Sequence, residues 1–210
     1  MIADFISADY GWLTSPDGTE SAHVQLKAGV NHEGYFTNEN IIKQADHTIN
    51  ILQTHYSEEE HILVFDNATT HLKREPDALS THKMPKYTPK PGHNWGVEVP
   101  ELDENCNMMH DSDGKVLKMH VNMGHGTFAN GTRQDLYWPT GHERAGVFKG
   151  MAAILEERGF GNMNSTQSEC PKFKCDLTNP HCCCRRILYN QPDFVKVESI
   201  LEKHCRKLGF

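Results

Sequence analysis

The stretch "HILVFDNATTH", residues 61–71, decides how the chain is read. Four apolar residues, Ile62 to Phe65, stop abruptly at Asp66 and Asn67. A short continuous apolar run predicts a strand buried on both faces. The carboxylate at its end has two readings. Asp66 and Asn67 can close the strand and start a turn, as these residue types often do. Alternatively, Asp66 carries chemistry and needs partners elsewhere in the chain.

Upstream, Thr37 or Asn38 can cap a helix. Ile41, Ile42, Ala45, Ile49 and Leu52 recur at helical spacing, which predicts a helix to about Tyr56. Before it, "IADFIS" (2–7) reads as a strand interrupted by Asp4. "AHVQLKAG" (22–29) alternates as a second strand, and "GYFT" (34–37) reads as a short third one. Strands, then a helix, then the 61–66 strand describe an α/β layer with a mixed sheet. Two of its strands carry an aspartate, Asp4 and Asp66. If those strands are neighbours, the carboxylates converge. Two close carboxylates repel one another and are stable chiefly around a shared divalent cation. Oxygen ligands suit Mg²⁺ or Mn²⁺, ions that assist phosphodiester cleavage.

Downstream the texture changes. Residues 72–145 are rich in Pro, Gly, Asn, His and Lys and read as a loop-rich insertion. "WGVEVP" and "KVLKMHVNM" predict a hairpin there, with Asp113-Gly114 at a turn. Trp95 and Trp138 are expected to anchor a small core, and the scattered histidines to be solvated. Residues 146–210 return to helices: "AGVFKGMAAILEERGF", with Gly159 closing it, and "DFVKVESILEKHCRKLGF", stopped by Gly209. The organisation is therefore 1–71 core, 72–145 insertion and 146–210 helices with a cysteine-rich segment. Both ends read as cut from a longer architecture.

Of seven cysteines, five (Cys170, Cys175, Cys182, Cys183, Cys184) fall within fifteen residues, with His181 beside them. Thiolates plus one imidazole can supply the four corners of a Zn²⁺ site. The expected ligands are Cys170, Cys175 and two of Cys182, Cys183 and Cys184, with His181 as a substitute. Buried structural thiols, or a disulfide formed on oxidation, are the alternatives.

The net charge of −7 does not advertise nucleic-acid binding, though a metal-dependent nuclease puts carboxylates where the phosphate will sit. No run of eighteen apolar residues is present, so no membrane helix is expected. The N-terminus lacks a basic, apolar leader, which points to an intracellular chain with reduced thiols. No G-x-S-x-G elbow or glycine-rich phosphate loop supports an unrelated hydrolase.

Taken together, "MIADFISADYGWL", "KAGVNHEGYFTNENI", "HILVFDNATTHLKR", "RAGVFKGMAAILEERGF" and "CCCRRILYNQPDFVKVESILEKHC" resemble the DDE superfamily endonucleases. These are transposase catalytic domains of the mariner-like kind, in their fungal variant. The resemblance implies an RNase H-like mixed sheet with flanking helices, here with a large insertion and without the last strand and helix. It implies DNA strand cleavage and transfer with Mg²⁺ or Mn²⁺, DNA as partner, homo-oligomers and a nuclear location. Asp4 matches the family's first carboxylate and Asp66 its second. Asn67 and His71 fall at supporting positions, although His71 also reads as a polar residue starting a helix. The family's third acidic residue lies in a Leu-Asn-x-Ile-Glu-like stretch that has no counterpart here. The expectation is a domain of impaired activity. The alternative is a non-catalytic, zinc-stabilised DNA- or protein-binding remnant of the same fold.

Overall fold

A computed structural model of the chain describes residues 1–27, 29, 36–104, 108–176 and 178–210, the side chain of Phe173 apart. The expected strand 34–37 falls largely outside them. In chain order the elements are β1 (Ile2–Ala3), β2 (Ile6–Ser7), β3 (Gly11–Trp12), β4 (Val24–Gln25) and α1 (Asn38–His55). There follow β5 (Val97–Pro100), β6 (Lys118–Val121), β7 (Gly126–Thr127), β8 (Arg133–Gln134) and α2 (Met151–Glu157). The last are α3 (Cys184–Tyr189), α4 (Pro192–Val195) and α5 (Ile200–Lys207). The fold is mixed α/β with small antiparallel sheets. None of the described helices is long and apolar enough to cross a membrane. Two compact units result: Met1–Glu75 with Glu198–Phe210, and Pro76–Val197.

In the first unit, residues 1–7 form one long side of an antiparallel ladder. Ile2 pairs with Gln25, Ala3 with Val24, Ile6 with Trp12 and Ser7 with Gly11. Leu13 N–H donates to Phe5 O, and Leu26 N–H to Met1 O. The opposite side is thus assembled from two pieces, 11–13 and 22–26, with residues 14–21 looping out between them. This corrects the single 22–29 strand. α1 matches its expected bounds. Thr37 and Asn40 form a reciprocal capping box at its start, and Ile41, Ala45, Ile49 and Leu52 are buried along its stripe. These side chains and Ile51 pack with Leu13, Ala22, Leu201 and Cys205, so α1 and α5 lie on one face of the sheet.

Residues 61–66 are not buried on both faces. Leu63 and Phe65 pack into the core, whereas Ile62 and Val64 are 85% and 84% exposed. Phe65 meets Phe5 edge-to-face with ring centroids 5.6 Å apart, which sets this extended segment beside the first strand. Among the described residues no backbone hydrogen bond links 62–66 to another strand.

The second unit is irregular. β5 and β6 form the expected hairpin, and Gly114 takes the left-handed conformation (φ 76°) in the turn beyond them. The core gathers Leu136, Phe148, Met151, Ile154, Leu155, Leu188 and Phe194, with Trp95 against Phe148. It encloses a polar network. Gln134, 1% exposed, donates to Ile154 O and to Glu157, and accepts from Arg158 Nε at 2.7 Å. The Arg158 guanidinium bonds both oxygens of Asp193 at 2.8 Å. α2 has no side-chain cap. Its first amides, Met151 and Ala152, donate to Pro85 O and Lys86 O. Gly150 precedes it at φ 91°, where a Cβ would stand 2.5 Å from the Tyr87 carbonyl carbon.

The expected single terminal helix is two. α4 ends at Val195, and Ser199 starts α5 with its own capping box to Glu202. Serine's hydroxyl satisfies an amide at a helix start, so Ser199 favours a new helix over continuation. Gly209, left-handed at φ 93°, follows the helix as expected.

Candidate metal centre

The cysteine segment is built by two strips of backbone that zip together. Cys184 N–H donates to Gln167 O and Arg185 N–H to Ser168 O, both at 3.0 Å. The first amides of α3 are thereby satisfied, and Cys183 at its N-cap is held close to Cys170. Between Cys170 and Cys175 a 3₁₀ turn, Pro171–Phe173, reverses the chain, with Lys172 in the left-handed region at φ 54°. Asp176 accepts from the amide and hydroxyl of Thr178, curling the loop that leads to Cys182.

The ligand atoms of Cys170, Cys175, Cys182 and Cys183 lie within 4.8 Å of one another. Cys170 and Cys182 stand 3.5 Å apart, Sγ to Sγ, and Cys175 and Cys183 4.0 Å. A tetrahedral zinc ion with Zn–S near 2.3 Å separates its sulfurs by about 3.8 Å, so four thiolates here can hold a metal such as zinc with little movement. Among the described residues this is the one group of three or more Cys, His, Asp or Glu side chains whose ligand atoms converge in this way.

Two of the expected candidates are not members. Cys184 is buried with its thiol against Thr166 O at 3.8 Å. The exposed His181 sets its ring edge against Phe160 at 5.9 Å. Consecutive side chains leave the backbone in different directions, so the run 182–184 cannot aim all three sulfurs at one point.

Surrounding groups favour a charged sulfur cluster. The Arg186 backbone N–H donates to Cys183 Sγ at 3.4 Å, and Gln167 Nε2 to Cys170 Sγ at 3.3 Å and to Cys182 O at 3.1 Å. Such outer hydrogen bonds orient metal ligands and moderate their charge. Without a metal the thiols hold their protons unequally. The hydrogen bond with Cys182, then burial, pushes Cys170 up to about 12. Burial, then Cys182, raises Cys175. Burial would raise Cys182 as well, but hydrogen bonds from Cys170, Cys175 and Cys183 outweigh it and leave Cys182 lowered.

The two aspartates belong to the first unit. Asp4, with its side chain 11% exposed, meets His23 Nδ1 with both carboxylate oxygens at 2.9 Å. Asp66 is 78% exposed; its Oδ1 accepts from Ala68 N–H at 3.0 Å and lies 2.8 Å from His71 Nδ1. Asn67 is exposed. Ile2 and Ile6 are exposed while Phe5 is packed inward, so Asp4 falls on the outward-facing register of its strand. By the same alternation Asp66 shares the outward register with Ile62 and Val64. Asp66 thus sits on the exposed side of an extended segment that makes no backbone hydrogen bond to the sheet among the described residues. Among the described residues neither aspartate belongs to a group of three or more converging metal-ligand atoms.

His23 and Gln167 were missed by sequence reading. His23 precedes Val24, the partner of Ala3, so the strand register that places it beside Asp4 was the available signal. Gln167 sits three residues before Cys170, a distance that carries no pattern of its own. No family model, curated protein or solved structure matches the chain.

Proposed function

We propose that the first unit is a DDE-type nuclease core of RNase H-like architecture, acting on DNA in the nucleus. In this reading Asp4 and Asp66 are the ligands of a catalytic Mg²⁺ or Mn²⁺, with Asn67 and His71 in support. The single observation that carries it is that each carboxylate falls on the outward register of its extended segment, and that Phe5 against Phe65 sets those two segments side by side. A divalent ion there would polarise a phosphodiester and activate water. Two carboxylates without a third hold Mg²⁺ loosely, because the ion keeps most of its waters. Cleavage and strand transfer are accordingly expected to be weak or absent.

Binding and cleavage test this separately. Free Mn²⁺, followed by electron paramagnetic resonance, should be taken up weakly by the chain and not at all by Asp4→Ala or Asp66→Ala. Uptake indifferent to both substitutions would remove the catalytic reading. Plasmid nicking in Mg²⁺ or Mn²⁺ should be trace; strong cleavage abolished by either substitution would overturn the impairment.

A second reading is a non-catalytic DNA- or protein-binding module stabilised by zinc in its second unit. The observation favouring it is that the four thiols converge whereas each carboxylate is paired with a histidine. We assign Zn²⁺ to Cys170, Cys175, Cys182 and Cys183 under either reading. Metal analysis of chain purified without chelator should find close to one zinc per chain; below about a tenth of an equivalent the assignment fails.

A further inference from the structure

We infer that the second unit binds a small aromatic anion, a ring carrying one negative group, in a cavity against its β5–β6 hairpin. The cavity measures about 460 Å³, inside the about 300–1,000 Å³ usual for small-molecule sites. It shares no residue with the cysteine centre or with the Asp4 and Asp66 pairs.

The hairpin register builds it. Glu98 pairs with His120 and Pro100 with Lys118. Alternation along the strands then sets Gly96, Glu98, Lys118 and His120 on one face. Residues 80–83 come to the same face, where Lys83 Nζ and Lys118 Nζ both donate to Glu98 Oε2 at 3.3 Å. Trp95 and Val97 supply the apolar lining, and both are packed on the core around Phe148. Gly96 between them admits no side chain, because a Cβ would stand 2.7 Å from Val121 O.

The chemistry of the lining selects the ligand. Hydrogen bonds from Lys83, then Lys118, hold Glu98 below the usual carboxylate range, so it is ionised. Two ammonium groups sharing one carboxylate oxygen leave one positive charge unanswered in this cluster. An ammonium has three N–H donors, and each lysine spends one on Glu98. His120 Nδ1 lies 3.3 Å from Gly96 O, which can only accept, so Nδ1 donates and Nε2 is left for a ligand. Trp95, steadied by Phe148 at 4.5 Å between ring centroids, offers an aromatic surface for a ligand ring. A single negative charge on the ligand balances the cluster. The backbone agrees with a built site. Among the described residues two non-glycine positions are left-handed, Lys172 in the cysteine loop and Lys83 here at φ 55°. Strain of this kind gathers at ligand clamps and functional sites.

Equilibrium dialysis of the full 210-residue chain against naphthoate is the test. One saturable site with a Kd below about 1 mM is expected. Acetate, which has the charge without the ring, and naphthalenemethanol, which has the ring without the charge, should each bind at least about tenfold more weakly. Lys83→Asn with Lys118→Gln should weaken naphthoate by at least about tenfold, through loss of the charge-assisted hydrogen bonds. Glu98→Gln should tighten it by about threefold or more, because the competing carboxylate is gone. These side chains are exposed, and surface ion pairs contribute little to stability, so the urea midpoint of each variant should match that of the unsubstituted chain. The inference is overturned by no saturable uptake up to about 10 mM. It is equally overturned by acetate or naphthalenemethanol binding as tightly as naphthoate, by binding indifferent to the two lysines, or by weaker binding in Glu98→Gln.

Discussion

The two units solve the same problem by different means. The first hangs its core on α1, an 18-residue helix with a reciprocal cap and a continuous apolar stripe. Among the described residues the second has no helix longer than the seven residues of α2, and its strands are two to four residues long. Helices this short are marginal by themselves, since the cost of nucleation is not recovered. The second unit holds its loops with contacts that regular structure does not supply: four converging thiols, and a polar network running from Lys149 through Glu157, Gln134 and Arg158 to Asp193. Its order thus rests on these polar points together with an apolar core built around Phe148, whereas the first unit's rests on apolar side chains ranged along one long helix.

The sharpest way to break that contrast is to remove the metal. Structural zinc contributes about 10–16 kcal/mol of apparent binding free energy at neutral pH. Chelation, or Cys170→Ser or Cys183→Ser, should abolish hydrogen-exchange protection across α2 and α3 while α1 keeps its own. Protection of α2 unchanged by zinc removal would show that the thiols are ordinary core residues. The same site should respond to acidity. Metal displaces thiol protons, and Cys170 holds its proton up to about 12, so zinc affinity should fall as pH falls. Competition against a colorimetric chelator between pH 8 and 6 reads this; a flat profile would contradict thiolate ligation.

Next in size is Arg158→Ala. It strands the Asp193 carboxylate, 12% exposed, and should cost about 3–5 kcal/mol in urea unfolding of the second unit. Burial would raise Asp193, but the Arg158 hydrogen bonds win and hold it below the usual carboxylate range. A carboxyl lowered in the folded state contributes stability above its unfolded value, and that contribution is lost as pH falls through the folded one. Removing Arg158 should therefore flatten the acid side of the stability profile. An unaltered acid limb would mean that the pair is energetically silent.

In the first unit Ile49→Ala, at a 2% exposed position on α1, should cost about 2–5 kcal/mol and leave zinc content untouched. Loss of zinc in that variant would show that the units are not independent. The smallest expected effect is Ser199→Ala, about 1 kcal/mol through the lost cap of α5. Thermal unfolding followed at 222 nm should detect it.

What was legible in the sequence tracks the same contrast. α1 could be bounded to within a residue because its cap, stripe and length all agree. The β5–β6 hairpin and the closing Gly159 and Gly209 were readable for a similar reason, since turns have residue signatures. The 61–66 segment misled because an unbroken apolar run looks alike whether one face or both are covered; only neighbouring elements decide that. The break between α4 and α5 was hidden by apolar spacing that continues across Val195–Ser199, although the Ser199–Glu202 box was present to be read. The cysteine cluster was evident from density alone. Which of three consecutive cysteines would converge was not, because that depends on where the N-cap of α3 falls. The Asp4–His23 pair required a strand register, and the looped-out residues 14–21 shift that register relative to simple alternation.

Gly150 carries a consequence for how this sequence can drift. Left-handed backbone discourages any side chain there, and the passing Lys86–Tyr87 backbone leaves no room even for a methyl group. Relief at either point alone does not free the position. A saturation library at residue 150, selected for folding, should return glycine and nothing else, while Gly131, equally left-handed but with open space around it, should also admit asparagine and aspartate.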